Sequence, residues 1–526
     1  GNEADIYAYE VSSRNVIGIS QAGSDIYAYA EAYDDSNSNL MGISQAGSGN
    51  EADIYAYEVS SRNVIGISQA GSDNYAYAEA YDDSNSNLMA VSQAGSDNYA
   101  DIYAYGDSSR NVIAVSQAGS DNYGYAEAYD GSNRNVVGIS QNGSDNEAYA
   151  YALTDSSDNI GLISQNGSGN YAETYIGDEN GDNNFTAIAQ NGMDNYAYVD
   201  NFVDTTGNTT GILQNGSDND AEVYLDDDAD RNLTGIVQNG SGNEVEVDID
   251  DDSNANAVGV SQGGTGNDSY VYIDDDSNTN YVGTTQNGSN NESGVDIEDE
   301  SNNNVVALLQ AGSGNELDME GSNGIKYSSS NNFVAVSQAG TDNATEIEIE
   351  DDSDWNFVAV SQAGSDNDID DIEIDNDSDY NFVAAAQTGS GNEIDDIEID
   401  NDSDKNAVLV AQSGTNNFSS VDIDDDSDEN LVLNLQDGSD NDSEVEIYNN
   451  SDNNDVAVTQ VGNDNSSLVT LDANSNYGTG SSIGSINAGA EGALYLAELI
   501  YYPSDQSANR PAIEANIANQ YGITLS

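Results

Sequence analysis

Asn, five residues, Gln, one residue, Gly, two residues, Asn: this frame restarts along almost the whole 526-residue chain. Counted on the Gln it occurs 19 times, at 21, 45, 69, 93, 117, 141, 165, 190, 214, 238, 262, 286, 310, 338, 362, 387, 412, 436 and 460. Of the 18 spacings, 14 are 24 residues, three are 25 and one is 28. The Asn six before the Gln and the Gly two after it occur in all 19 copies, while the Asn five after it fails once, at Ile26. A unit this short cannot bury a core alone, so a period this strict requires neighbours to stack into a quasi-one-dimensional array. Function is then expected on a surface that repeats.

Within one repeat two short strands are legible. Leu40–Gln45 (LMGISQ) alternates apolar and small residues, a Gly-Ser turn follows, and Glu51–Tyr57 (EADIYAY) alternates again before the chain turns back. Met41 and Ile43 fall in phase with the Asn and Gln of the first strand. On the second strand Ala52, Ile54 and Ala56 fall in phase with Asn50, and later copies place Val245, Val247 and Ile249 or Thr345, Ile347 and Ile349 there. These positions are expected to face a thin shared core.

Amides in phase with that core are costly unless paired. In a parallel, in-register stack each can meet its identical neighbour one rung away, at about 4.8 Å. The structural ladder residues are therefore Asn63, Gln69, Gly71 and Asn74 in one coil and Asn356, Gln362, Gly364 and Asn367 in another. The Gly permits the left-handed backbone that a sharp arc needs.

The same residues carry a resemblance. The registers at Gln69 and Gln93, within Asn63–Ala100, resemble curlin repeats, the amyloid-forming units of curli: alternating aliphatics, then Gln-x-Gly-x-x-Asn, then x-Ala. The resemblance covers roughly residues 15–470. It implies an all-β, curlin-like β-solenoid in which each repeat is one strand–arc–strand coil, exported and assembled outside the cell. The chain departs from curlin repeats where they carry a second Gln, since Ala56, Ile249 or Ile349 stands there. The array is also far longer than a curli subunit.

Charge bounds the partners. Against 97 Asp and Glu stand 8 Lys and Arg, for a net −89. Nucleic-acid binding needs basic groups, so that class is excluded, and anionic membrane surfaces are disfavoured. No apolar run approaches the roughly 18 residues of a membrane span. The composition alone resembles disorder, but regular aliphatic spacing argues for a folded stack. There is no Cys and no His, which removes disulfides, thiol chemistry, zinc sites and imidazole catalysis. No clustered unique site points to an enzyme.

The outward residues change along the array. Coils in residues 1–151 are Tyr-rich, with Tyr55 and Tyr57, Tyr75 and Tyr77, Tyr99, Tyr103, Tyr105, Tyr123 and Tyr125. Such columns can stack on one another or contact a neighbouring fibre or a surface glycan. Coils in 244–428 are acidic: Glu244, Glu246, Asp248 and Asp250; Glu346, Glu348 and Glu350; Asp422 and Asp424. Unit charges one rung apart repel by about 0.9 kcal/mol even at water's dielectric. Divalent cations would reverse that sign, and calcium, with about six to eight oxygen ligands in loose geometry, suits such a face. The turns Asp250–Ser253, Asp274–Ser277 and Asp424–Ser427 add further oxygens, although none is an EF-hand loop. These nine carboxylates are the candidate calcium ligands. On the first strand the central outward residue is small (Gly18, Gly42, Ala90, Ala335, Ala359), with apolar flanks such as Val16 and Phe333. That strip suits lateral sheet-to-sheet association.

Three breaks complete the reading. The 28-residue spacing places an enlarged loop at 321–331, where Lys326 reads as part of a loop excursion. The extra residues near Asp370–Asp371 and Asp395–Asp396 read as β-bulges. Residues 1–465 form the array and 466–526 a C-terminal cap, with a strand at Leu494–Tyr502 and a helix from the Pro511 region. That tail is similar to the closing segment of laminin-G/concanavalin-like modules of surface and phage tail proteins. Residues 1–15 recur verbatim at 49–63, so the natural N-terminus, with any signal peptide, is expected before Gly1. The leading expectation is an extracellular, non-enzymatic fibre subunit that polymerises with itself end to end into surface filaments or biofilm matrix. The alternative is the shaft of a phage tail fibre or cell-surface adhesin.

Overall fold

The computed structural model describes residues 2–470, apart from 9–12, 178–179, 318, 320–323 and 449, together with 481–483. Among them there is no helix. Nineteen strands carrying the Gln, from Val16–Ser24 to Asn454–Asn463, join Ser481–Ile483 in one 20-stranded parallel sheet. The register advances by one repeat per strand, so that Gln21 pairs with Gln45, Gln45 with Gln69 and Gly47 with Gly71. Even the 28-residue copy keeps it, with Gln310 opposite Gln338. The fold is a parallel β-solenoid.

The arc after each Gln has two backbone requirements. Gly71 has φ +125°, and a Cβ there would overlap the carbonyl oxygen of Gly95 in the next coil. Two residues on, the chain is left-handed again, and that position is held by Gly, Asp or Asn, as in Gly49, Asp73 and Asn290 (φ +66°, +56° and +53°). These are the residue types that adopt this region at least cost.

Opposite the Gln strands runs a return sheet of seven strands, from Glu51–Ala52 to Tyr196–Val199. Between the sheets lies the thin core. Met41 and Ile43 face Ala52, Ile54 and Ala56, all at most 3% exposed. Val258 and Val260 face Val271 and Ile273 in a later coil, where branched aliphatics stand on both sides, whereas in other coils a small residue on one side meets a large one on the other. The clearest exchange is Gly161, whose missing side chain is replaced by the Ile176 side chain reaching across from the return strand.

The expectation of a second strand in every coil fails after Val199 and also in the first coils, where residues 26–33 form no strand and the expected Glu51–Tyr57 is a strand only over Glu51–Ala52. In the acidic coils the return segment is extended chain with positive φ at successive residues, as at Asp248, Ile249 and Asp250 (+78°, +123° and +42°). Neighbouring returns stay joined by backbone bonds such as Glu244 N–H to Asn267 O, 2.9 Å. A flat ladder would align like charges along the axis at about 4.8 Å. The positive-φ residues still keep the aliphatics inward, with Val247 and Ile249 fully buried.

The extra residues at Asp370–Asp371 and Asp395–Asp396 are taken up as consecutive positive-φ pairs between buried isoleucines, Ile369 and Ile372, then Ile394 and Ile397. They are two-for-one insertions in the return segment, which there is not a paired strand, so the β-bulge reading is corrected to that extent. Lys326 is not part of a loop excursion: Ile325 re-enters the core fully buried, and the chain is back in register by Lys326. Ser481–Ile483 lies parallel to Asn454–Val456, one further rung inside the segment read as a cap. The continuing sequence, GSINAG, keeps Asn487 and Gly489 at the spacing of Gln460 and Gly462. The expected strand at 494–502 and the helix beyond it lie outside the described residues.

Candidate functional site

Each coil presents to the next a set of polar ladders. Gln69 Nε2 donates to Gln93 Oε1 at 2.9 Å and to the backbone carbonyls of Asn74 (3.0 Å) and Glu51 (2.6 Å). The same bond links Gln362 to Gln387 at 3.0 Å, and the ladder is unbroken from Gln21 to Gln460. Asn74 Nδ2 donates to Asn50 Oδ1 at 3.0 Å, and Asn367 to Asn343 at 2.9 Å. The Asn63 and Asn356 column departs from the expected amide-to-amide pairing. Asn63 Nδ2 donates to the Ser84 carbonyl (2.9 Å), and its N–H is taken by Asn39 Oδ1 (2.9 Å). Asn356 does the same with Ser378 and Asn332, at 2.8 Å each. These asparagines bridge strand to turn through the backbone. In all three columns the amides are nearly solvent-free, and apart from Asn381 and Asn406, whose Nδ2 finds no acceptor, they are satisfied, which is the condition for burying them.

Sequence reasoning missed a fourth ladder. In the acidic coils the turn serine is fully buried, and its hydroxyl accepts the next serine's N–H (Ser253 from Ser277, 2.9 Å) while donating to a carbonyl one coil on (Ser403 to Asp424 O, 2.7 Å). The hydroxyls of Ser253, Ser277 and Ser427 thus give their proton, and one lone pair, to the backbone. The Ser held at one turn position in every coil from Ser253 to Ser451 was the available signal.

The tyrosines stack as continuous columns. Tyr75–Tyr99 and Tyr99–Tyr123 lie 4.7 and 5.0 Å apart with nearly parallel rings, and Tyr55–Tyr77 meet edge to face at 5.1 Å. The column runs past residue 151 to Tyr198–Tyr224 at 5.7 Å. Hydroxyls donate to carboxylates two residues along, Tyr77 to Glu79 (2.5 Å) and Tyr125 to Glu127 (2.6 Å). Burial, then these carboxylates, holds Tyr77 and Tyr125 far above the usual phenol range.

All nine candidate calcium ligands point outward, Glu244 exposed and Glu246, Asp248, Asp250, Glu346, Glu348, Glu350, Asp422 and Asp424 half-buried. The structure groups only two of them. Asp250 stands with Asp251 and Asp275, and Asp424 with Asp400 and Asp425, each group offering three carboxylate oxygens within 4.8 Å of one another. Two further groups, Asp226–Asp227–Asp251 and Asp274–Asp275–Asp299, continue the same column. Three clustered carboxylates fit half of a calcium shell, with room for water and carbonyl oxygens to supply the rest. Glu348 and Glu350 are held instead by the Lys326 ammonium. Glu246 accepts from Tyr272 Oη at 3.3 Å, and Glu244, Asp248, Glu346 and Asp422 join no three-carboxylate group among the described residues.

Lys326 is placed by the serine ladder. Ser277, Ser301 and Ser329 donate to the carbonyls of Glu298, Lys326 and Glu350, so these three residues occupy one column, continued by Asp274 before and Asp375, Asp400 and Asp424 after. Lys326 is 7% exposed. It stands where the neighbouring coils carry a carboxylate. Burial first, then neighbouring carboxylates, push Asp248 and Asp396 up to about 7, Glu398 to about 8 and Asp422 to about 6. Other turn acids are stapled by backbone N–H groups, Asp379 Oδ1 accepting from Asp354 (2.7 Å) and Asp404 from Asp379 (2.8 Å).

No protein-family model matches the chain, and no curated protein is significantly similar to it.

Proposed function

We propose that the protein is a non-enzymatic structural fibre subunit of the extracellular space, assembling end to end into curli-like surface filaments or biofilm matrix. The observation that carries this reading is the polar ladder itself. Every coil takes from its predecessor the same Gln contact that it gives to its successor, from Gln21 to Gln460 without a break. A contact that is head-to-tail and purely translational does not close on itself, so chains joined through it form filaments. The test is fibre diffraction or cryo-EM of the assembled chain, with a meridional repeat of about 4.8 Å expected. Short rods that stay separate at high concentration would oppose it.

The reading extends to calcium, supported by the carboxylate groups at Asp250 and Asp424 and by the chain's own cation, Lys326, in the same column. Melting in calcium, against magnesium and sodium at matched ionic strength, is expected to show a calcium-specific gain. Equal melting in all three salts would leave only screening.

A further inference from the structure

The Gln strands carry a second, unabsorbed feature on their solvent side. Three outward columns run the length of the array through Val16, Gly18 and Ser20, and in 19 coils they hold one charged residue, Asp455. On a chain of net charge −89 this is a neutral ribbon. One rim is apolar and exposed, with Val16 60%, Leu40 48%, Leu233 53% and Tyr281 52%, and the other, through Ser20, is mostly Ser or Thr. Its floor is Gly or Ala in 16 of the 19 coils, with Leu162, Leu409 and Leu433 in the other three.

The glycines of the floor are unlike those of the arc. Gly18, Gly42, Gly66, Gly211, Gly235, Gly259 and Gly283 lie mid-strand, none at positive φ, and a Cβ added at any of them meets nothing within 4 Å. Nothing inside this chain asks for glycine there. Glycine in a strand interior weakens the strand, and where neither a bulge nor an internal contact explains it, the remaining reason is the close approach of a ligand or of another backbone.

We propose that this ribbon is the docking face for a second copy of the chain, laid ribbon against ribbon; the proposal rests on the fibre reading and adds its lateral partner. Three observations select that occupant. A partner must match a rung of about 4.8 Å over about 90 Å, and a second solenoid has that period throughout. Three columns are about 15 Å wide, so pairing would cover about 1,350 Å² per copy, or about 2,700 Å² in total, above the roughly 1,200–2,000 Å² of a standard stable interface. Finally, the acids lie chiefly on the return side and turns, so this face brings two anionic chains together with least repulsion, and pairing should strengthen as salt shortens the screening length.

The experiment is mass per unit length of full-chain filaments by dark-field electron microscopy at near-physiological salt, with circular dichroism as the check on folding. The wild type is expected at two chains per solenoid length. Combined Gly211→Glu, Gly235→Glu and Gly259→Glu should halve that value, leaving single filaments of undiminished length. Leu233→Ser with Tyr281→Ser, which adds no charge, should shift the same balance towards single filaments and decides the matter if the glutamates prevent folding. A wild type at one chain per length, or variants that remain double, would overturn the pairing. Paired rods that never elongate would overturn the end-to-end reading and leave the pairing standing.

Discussion

Gln69 and Asn74, five residues apart on one arc, carry amide ladders that run in opposite directions along the axis. Gln69 donates forward to Gln93, and Asn74 donates back to Asn50. Each orientation is set by a carbonyl: Gln69 Nε2 also reaches Asn74 O, and Asn74 Nδ2 reaches Gly95 O at 3.1 Å. A single column of aligned amide dipoles would sum along the stack as peptide dipoles do along a helix. Two opposed columns cancel, so the array can lengthen without building an axial field.

The ladder predicts an asymmetric response to substitution. Gln238→Leu leaves Gln214 with its backbone acceptors but orphans Gln262 only as an acceptor, and should cost about 1–3 kcal/mol. Gln238→Glu sets a buried carboxylate against the Asn243 carbonyl and Gln262 Oε1, and should cost about 3–5 kcal/mol. In a repeat array the loss is local, so amide hydrogen exchange is the measurement. Protection should fall in the coils flanking residue 238 and be retained near both ends.

Two glycines of the Gln strands should behave oppositely. Gly71→Ala meets both a positive φ and the Gly95 carbonyl, and should cost more than about 3 kcal/mol, read as lost exchange protection across the neighbouring arcs. Gly235→Ala enters open space at ordinary φ, and should change the folded single chain by less than about 0.5 kcal/mol or stabilise it. Equal losses at the two sites would refute the distinction between arc and floor.

The acidic coils predict an inverted pH profile. Asp248, Asp396, Glu398 and Asp422 have folded-state pKa values above their ordinary ones. A group raised in this way contributes stability that is present below its unfolded pKa, about 4, and lost as pH rises through the folded value. The window is therefore about pH 4 to pH 8. Melting temperature should rise on acidification from about pH 8 to about pH 5, where carboxylate-rich proteins with paired acids usually lose stability. A flat or falling profile would contradict the burial of these side chains.

Much of the architecture was legible because a strict period leaves few alternatives. The Gln69 frame, the Gly71 arc and the inward Met41, Ile43 and Ile54 all follow from spacing alone. What stayed hidden follows a pattern. An Asn that pairs with Asn and one that bridges to a carbonyl leave the same letter in the repeat, so the roles of Asn63 and Asn74 could not be told apart. Alternation at Val245, Val247 and Ile249 persists through the acidic coils, and alternation carries no information on φ, so the loss of the return strand after Val199 was invisible. Four extra residues hid the alignment of Lys326, although counting back from Ser329 instead of forward from Asn315 restores it.

That alignment makes Lys326 the most informative single position for the role of cations. Its ammonium is buried between coils and holds Glu348 and Glu350, with Glu298 one rung before it in the same column. Lys326→Met keeps the length of the side chain and removes the charge, leaving the flanking carboxylates without their counter-ion. Breaking a fully buried pair from one side costs about 3–5 kcal/mol; Glu348 and Glu350 keep 20% and 25% of their side-chain exposure, so the loss here should fall below that range. Exchange protection should therefore drop around residues 298–350, while the Tyr-rich coils before Tyr198 keep theirs. If cations serve the acidic column as Lys326 does, millimolar calcium should restore much of that protection, and sodium at equal ionic strength should not. Restoration by sodium alone would reduce the effect to screening. No loss in the Met variant would mean that these carboxylates do not depend on Lys326 as their counter-ion, and would remove the strongest structural support for calcium in this column.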